Sequence, residues 1–77
     1  MNRYFFHVRD GHTSLDTVGL ECAGMDEVRA EALKATGEIL KELGPEFWKH
    51  RAWSMWVTDE SEATLLTLQL SVSQPTP

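Results

Sequence analysis

The chain has 77 residues, seven Lys+Arg against twelve Asp+Glu, and a formal net charge of −5. That length holds one small domain, and a composition of 42% hydrophobic and 25% charged residues belongs to a folded globular chain, which excludes a disordered or membrane-spanning one. A domain of this size buries only about 60% of the surface its unfolded chain exposes, so its core is thin and a second copy would support it.

A single cysteine, Cys22, excludes an internal disulfide and a cysteine-based metal site, and fits a reducing, cytoplasmic setting. The apolar run Tyr4-Phe5-Phe6 stops at His7, too short for an export signal or a spanning helix. None of this specifies a chemical activity.

Arg3 to Arg9 is rich in aromatic and β-preferring residues and predicts a strand, with Tyr4, Phe6 and Val8 on one face and Phe5 and His7 on the other. Asp10-Gly11 ends it. The stretch from His12 to Thr17 has only Leu15 as an apolar residue and reads as a wide loop rather than a strand. Asp16-Thr17-Val18-Gly19 places Asp first and Gly fourth, the preferred order of a type I turn, and a short strand follows from Gly19 to Cys22 or Ala23.

From Met25 to Leu43, the residues Met25, Val28, Ala32, Ile39 and Leu43, flanked by Leu33, Thr36 and Leu40, recur at helical spacing and predict one amphipathic helix. Gly24 is its N-cap, Glu27 sits where a capping-box acid belongs, and Gly44-Pro45 stops it. Gly37 lies inside, at a cost of about 1 kcal/mol relative to Ala, which suggests close packing against a strand.

Glu46 to Arg51 connects to a third strand, Ala52 to Thr58, where Trp53, Met55 and Val57 alternate with Ser54, Trp56 and Thr58. Asp59 to Glu62 forms a charged hairpin tip, and Thr64 to Leu70 returns antiparallel with Leu66, Leu68 and Leu70 on one face and Leu65, Thr67 and Gln69 on the other. The expected fold is therefore a two-layer α+β domain over residues 1–70, an antiparallel sheet of about four strands in the order β-β-α-β-β with one helix across a face. Residues 71–77 are expected to be a flexible tail.

The helix covers one sheet face and leaves Phe5, His7, Trp56 and Leu65 on the other. An uncovered patch holding Phe and Trp marks an interface, so these four are the candidate surface of a homodimer, with a free sheet edge as the alternative contact. Charge is also unevenly spread. Residues 59–62 carry −3 and the helix −2, whereas residues 1–12 and 44–58 each carry +1. The acidic helix and tip suit a basic protein partner.

The opening run R-Y-F-F-H-V-R-D-G at Arg3 to Gly11, with the Asp16 to Gly19 turn, V-R-A-E-A-L at Val28 to Leu33 and V-T-D-E at Val57 to Glu60, resembles a family of small uncharacterised bacterial proteins common in rhizobia. The family is a domain of unknown function, so the resemblance implies a fold but no activity, cofactor or ligand. Its members usually carry Asp where this chain has Gly24, which implies a weaker helix cap here. A looser similarity, to antitoxins with a partial ribonuclease-H-like fold, implies an antitoxin-like or adaptor role.

Two constellations bear on chemistry. His7, Asp10 and His12 form H-x-x-D-x-H, a candidate divalent-metal set for a hydrolase, but on a straight strand His7 and Asp10 point to opposite faces. Trp48, Lys49, His50 and Arg51 make a basic aromatic loop suited to a ligand or partner, although the net charge of −5 argues against nucleic acid. Nucleophile elbow, glycine-rich phosphate loop and H-E-x-x-H are all missing from the sequence. Catalysis is the class the residues support least, and they call for no cofactor.

Overall fold

Alternation of apolar with polar or aromatic residues folds three long segments into strands, and the computed structural model describes them within residues 1–49, 52–73 and 75. The strands are β1 (Asn2–Arg9), β2 (Thr13–Ser14), β3 (Leu20–Cys22), β4 (Ala52–Thr58) and β5 (Thr64–Ser71), and the single helix α1 spans Met25–Leu43. All pairings are antiparallel. β1 is central, with β4 on one side and β5 beyond it, while β2 pairs the end of β1 and β3 its start. The two-layer α+β expectation holds.

The predicted wide loop after Asp10 contains β2, which pairs Thr13 and Ser14 with Arg9 and Val8. Its two residues lack apolar side chains, and only the neighbouring backbone of β1 makes them a strand. On β1, three residues separate Tyr4 from Val8, whereas five separate Leu20 from Ser14 on the returning segment. The surplus bulges outward at Leu15–Gly19, and Gly19 turns it back at φ +75°. A β-carbon at Gly19 would lie 2.8 Å from Cγ of Arg3 and 2.9 Å from Cε1 of Phe5, so glycine is required there by both backbone and space.

Helix α1 starts and stops where its residues direct. Gly24 supplies no side-chain cap, but Glu27 reaches back to accept the backbone N–H of Ala23 at 3.2 Å, one residue earlier than in a capping box. At the other end Gly44 adopts φ 55° and its N–H returns to the Leu40 carbonyl. A short 3-10 turn over Gly44–Lys49 follows.

The core lies between α1 and the sheet. Tyr4, Cys22, Val28 and Val57 form one buried group, and Ala32, Trp53 and Met55 another, with Phe6, Val8, Ile39, Leu43, Phe47, Leu66 and Leu68 packed around them. The expected inward set is thus recovered, except that Leu70 stays 38% exposed at its margin. Two helix expectations change. Leu33 points to solvent at 65% exposure, and nothing lies within 4 Å of a β-carbon added at Gly37. Close packing does not explain Gly37. No helix among the described residues is long and apolar enough to cross a membrane.

Candidate functional site on the open sheet face

On the sheet face away from α1, strand register makes His7 the direct cross-strand partner of Trp56 and Phe5 that of Thr58. The His7 and Trp56 rings lie 5.1 Å apart, tilted, and Phe5 stacks on the other side of His7 at 6.5 Å. An aromatic row results, in which His7 is buried and Phe5 and Trp56 are half-buried.

His7 is fixed at both nitrogens. The backbone N–H of Asp16 donates to Nδ1 at 3.0 Å, so in the neutral ring the proton sits on Nε2, which donates to the Thr58 hydroxyl at 2.9 Å. Asp16 is equally committed. Its Oδ1 accepts the N–H groups of Val18 and Gly19, both at 3.0 Å, and its Oδ2 accepts that of Phe6 at 3.1 Å. The carboxylate thereby fills the gap between β2 and β3, taking a β1 donor that no strand backbone reaches. Burial works against the charge of Asp16, but the three N–H donors outweigh it and hold the carboxyl below its ordinary value.

Across the sheet, the β4–β5 turn is built on a second aspartate. Asp59 Oδ1 accepts from the Ser61 hydroxyl at 2.7 Å, the Ser61 N–H at 2.8 Å and the Ala63 N–H at 3.1 Å, bonds that lower its carboxyl too. Glu62 completes the turn at φ 68°. Glu60 accepts the N–H of Arg3 at 3.2 Å, just past the last β1–β4 pair.

These elements enclose a cleft of about 410 Å³ lined by Phe5, His7, Leu15, Asp16, Trp56, Thr58, Asp59, Glu60, Glu62 and Thr64. Its floor is aromatic and four carboxylates stand around it. Among the described residues, no Lys or Arg lines it.

Of the four interface candidates, Phe5, His7 and Trp56 come together here. Leu65 does not. Val57 faces Leu66 and Thr58 faces Thr64, so Leu65 is the extra residue of a β-bulge, and it lines a separate hollow with Arg3, Tyr4, Met25 and Glu60. Simple alternation could not reveal that shift. The sequence reading also missed Thr58 and Asp16 as site residues. Thr58 was signalled by sharing a face with Trp56, whereas Asp16 carried only a turn signal.

The remaining candidates lie elsewhere. Asp10 approaches His12 at 3.5 Å, whereas the nitrogens of His7 bond Asp16 and Thr58 instead. Among the described residues, no group of three or more His, Cys, Asp or Glu side chains is placed to hold a metal ion. Trp48 is 64% exposed and packs edge-on against Phe47 at 5.3 Å, and Lys49 pairs with Glu46 at 3.0 Å. His50 and Arg51 lie outside the described residues. Cys22 is fully buried, and that burial, with Glu27 and Glu31 nearby, pushes its thiol up.

A family model described as a domain of unknown function, DUF6894, matches residues 3–71. The chain belongs to this family. The match runs from the second residue of β1 through the end of β5, so the aromatic row, both aspartate-built turns and the cleft all fall inside the DUF6894 domain. No curated protein and no solved structure matches the chain.

Proposed function

We propose that this DUF6894 chain is a small non-catalytic protein-interaction domain that works as a homodimer, joined edge to edge through β5. The observation that carries the reading is the contrast between the two sheet edges. One edge is guarded: β2 and β3 have two and three residues, are split by the outward bulge, and present the Arg3–Glu21 ion pair. The other is open. β5 runs eight residues, Thr64–Ser71, without a charge or a proline, and among the described residues it pairs only with β4.

Proteins normally blunt such an edge with charge, proline or a bulge, because its unpaired N–H and C=O groups are a template for another strand. Here the only irregularity is the bulge at its start. A second copy satisfies the edge most directly, since antiparallel self-pairing about a two-fold axis sets Leu66, Leu68 and Leu70 of one chain beside the same residues of the other. Both helices then lie on one side of a continuous sheet, and the exposed Leu70 gains cover.

Two further points support this choice. Self-association over the open face would bring the same four carboxylates opposite one another, which like-charge repulsion opposes. The side chains richest in chemistry are also committed: His7 has both nitrogens engaged and Cys22 is in the core.

Sedimentation equilibrium tests the reading at micromolar concentration. The expected mass is twice the 8.7 kDa of one chain, and Thr67→Lys/Gln69→Lys, both exposed on β5, should give a folded monomer by opposing like charges across the edge. A wild-type monomer, or a variant that still dimerises, would overturn it.

A further inference from the structure

The open-face cleft reaches β5 only at its first residue, Thr64, and lies on the sheet face rather than along the outer edge, so its role is a separate question. Four of the chain's twelve acidic residues line it and, among the described residues, no Lys or Arg does. Only part of this was visible in the sequence, where Asp59, Glu60 and Glu62 formed an acidic tip; folding adds Asp16 from 43 residues earlier. Acids alone would make a solvated turn. What distinguishes this place is the aromatic floor beneath them, with Trp56 and Phe5 flanking a His7 ring that is buried and immobilised.

We infer that the cleft is a docking site for an arginine-bearing segment of a basic partner protein. A guanidinium is flat, stacks on an aromatic face through its cationic π-system, and bonds carboxylates with paired N–H groups. The cleft offers both partners at once, a ring floor and carboxylates at its rim. The negative field is also preorganised. Asp16 and Asp59 are each held by three hydrogen bonds and Glu60 by the Arg3 N–H, so little side-chain freedom is lost when a cation arrives.

Polypeptide, rather than a lone small cation, follows from the surroundings. Leu15 on the cleft wall is 65% exposed, and Val18 on the same outward bulge is 74% exposed. They offer apolar contact beyond the volume one side chain fills. The acids exclude phosphate-bearing ligands from the same surface.

The test is titration of the intact chain, observed by backbone amide NMR, with an acetylated peptide carrying one arginine between leucines. The same peptide with citrulline and arginine amide alone complete the set. The arginine peptide is expected to move the amides of Phe5, Leu15 and Trp56, to bind at least about tenfold tighter than the citrulline peptide or arginine amide, and to weaken with added salt. Glu60→Lys/Glu62→Lys should reduce its affinity at least about tenfold, and Glu62→Lys alone, at the exposed tip, gives the same direction without touching the Arg3 contact. Equal binding of arginine and citrulline peptides, unchanged binding by the Glu62 variant, tight binding of arginine amide alone, or shifts confined to another surface would overturn the inference. Repeating the titration in Leu70→Lys, which burdens the β5 edge from the helix-side face and leaves the open face untouched, separates it from dimerisation, because the cleft should bind equally well in a monomer.

Discussion

Asp16 shows how much one side chain carries here. A carboxylate with three backbone donors, standing in for a missing stretch of strand, joins the start of the β2–β3 bulge to β1 and positions the N–H that orients His7. Asp16→Ala should therefore lower stability by about 2 kcal/mol, the scale of a charged group's hydrogen bonds, measurable as a shift in the urea midpoint. Its pH dependence has a definite sign. Because the folded carboxyl lies below the unfolded value of about 3.9, its contribution is complete above that value and is lost as pH falls through the folded one. Asp16→Asn should flatten the acid limb of the stability profile, and an unchanged limb would assign it to other carboxylates.

Two glycines make the same point with opposite signs. Gly37→Ala should stabilise the domain by about 1 kcal/mol, because the site is an exposed helix interior with open space around it. Gly19→Ala should destabilise it by about 1 to 3 kcal/mol, since φ is +75° and the new methyl would meet Arg3 and Phe5. Thermal melts of the two variants should move in opposite directions. Parallel shifts would refute the local geometry.

Among the secondary elements, those with their own periodicity were readable and those made by their neighbours were not. The Met25 to Leu43 apolar spacing marks α1 to its last residue, and the alternation of Ala52 to Thr58 marks both the range of β4 and its two faces. β2 has no pattern of its own. Its two polar residues become a strand only because β1 offers them an edge. The bulge at Leu65 is similar: the run Thr64-Leu65-Leu66 fits either register, and the turn geometry at Asp59–Glu62 selects one.

The candidate site divides along the same line. His7 and Trp56 could be placed on one face from alternation, and the acid of residues 59–62 could be counted. That Asp16 joins them depends on how far the surplus residues of the return strand bulge, which no local pattern encodes.

For the whole molecule, the small size and the charge of −5 acquire locations. The thin core is closed on one side by α1 and left open at the β5 edge, where the leucine row runs out of cover. Four of the twelve acidic residues gather around one aromatic cleft on the opposite face, the arrangement from which a cationic partner is proposed there and self-association is not. The proposed pairing and the proposed partner site therefore fall on different surfaces, and such a dimer would present two clefts on the same side of one sheet.

The pairing claim is tested most directly by an isotope-filtered NOE spectrum of a sample mixed from labelled and unlabelled chains, which detects only contacts between copies. Edge pairing through β5 predicts cross-peaks joining Leu66, Leu68 and Leu70 of one chain to the same leucines of the other. Cross-peaks from Phe5 and Trp56 instead, or none at a concentration where the chain sediments as a dimer, would contradict it.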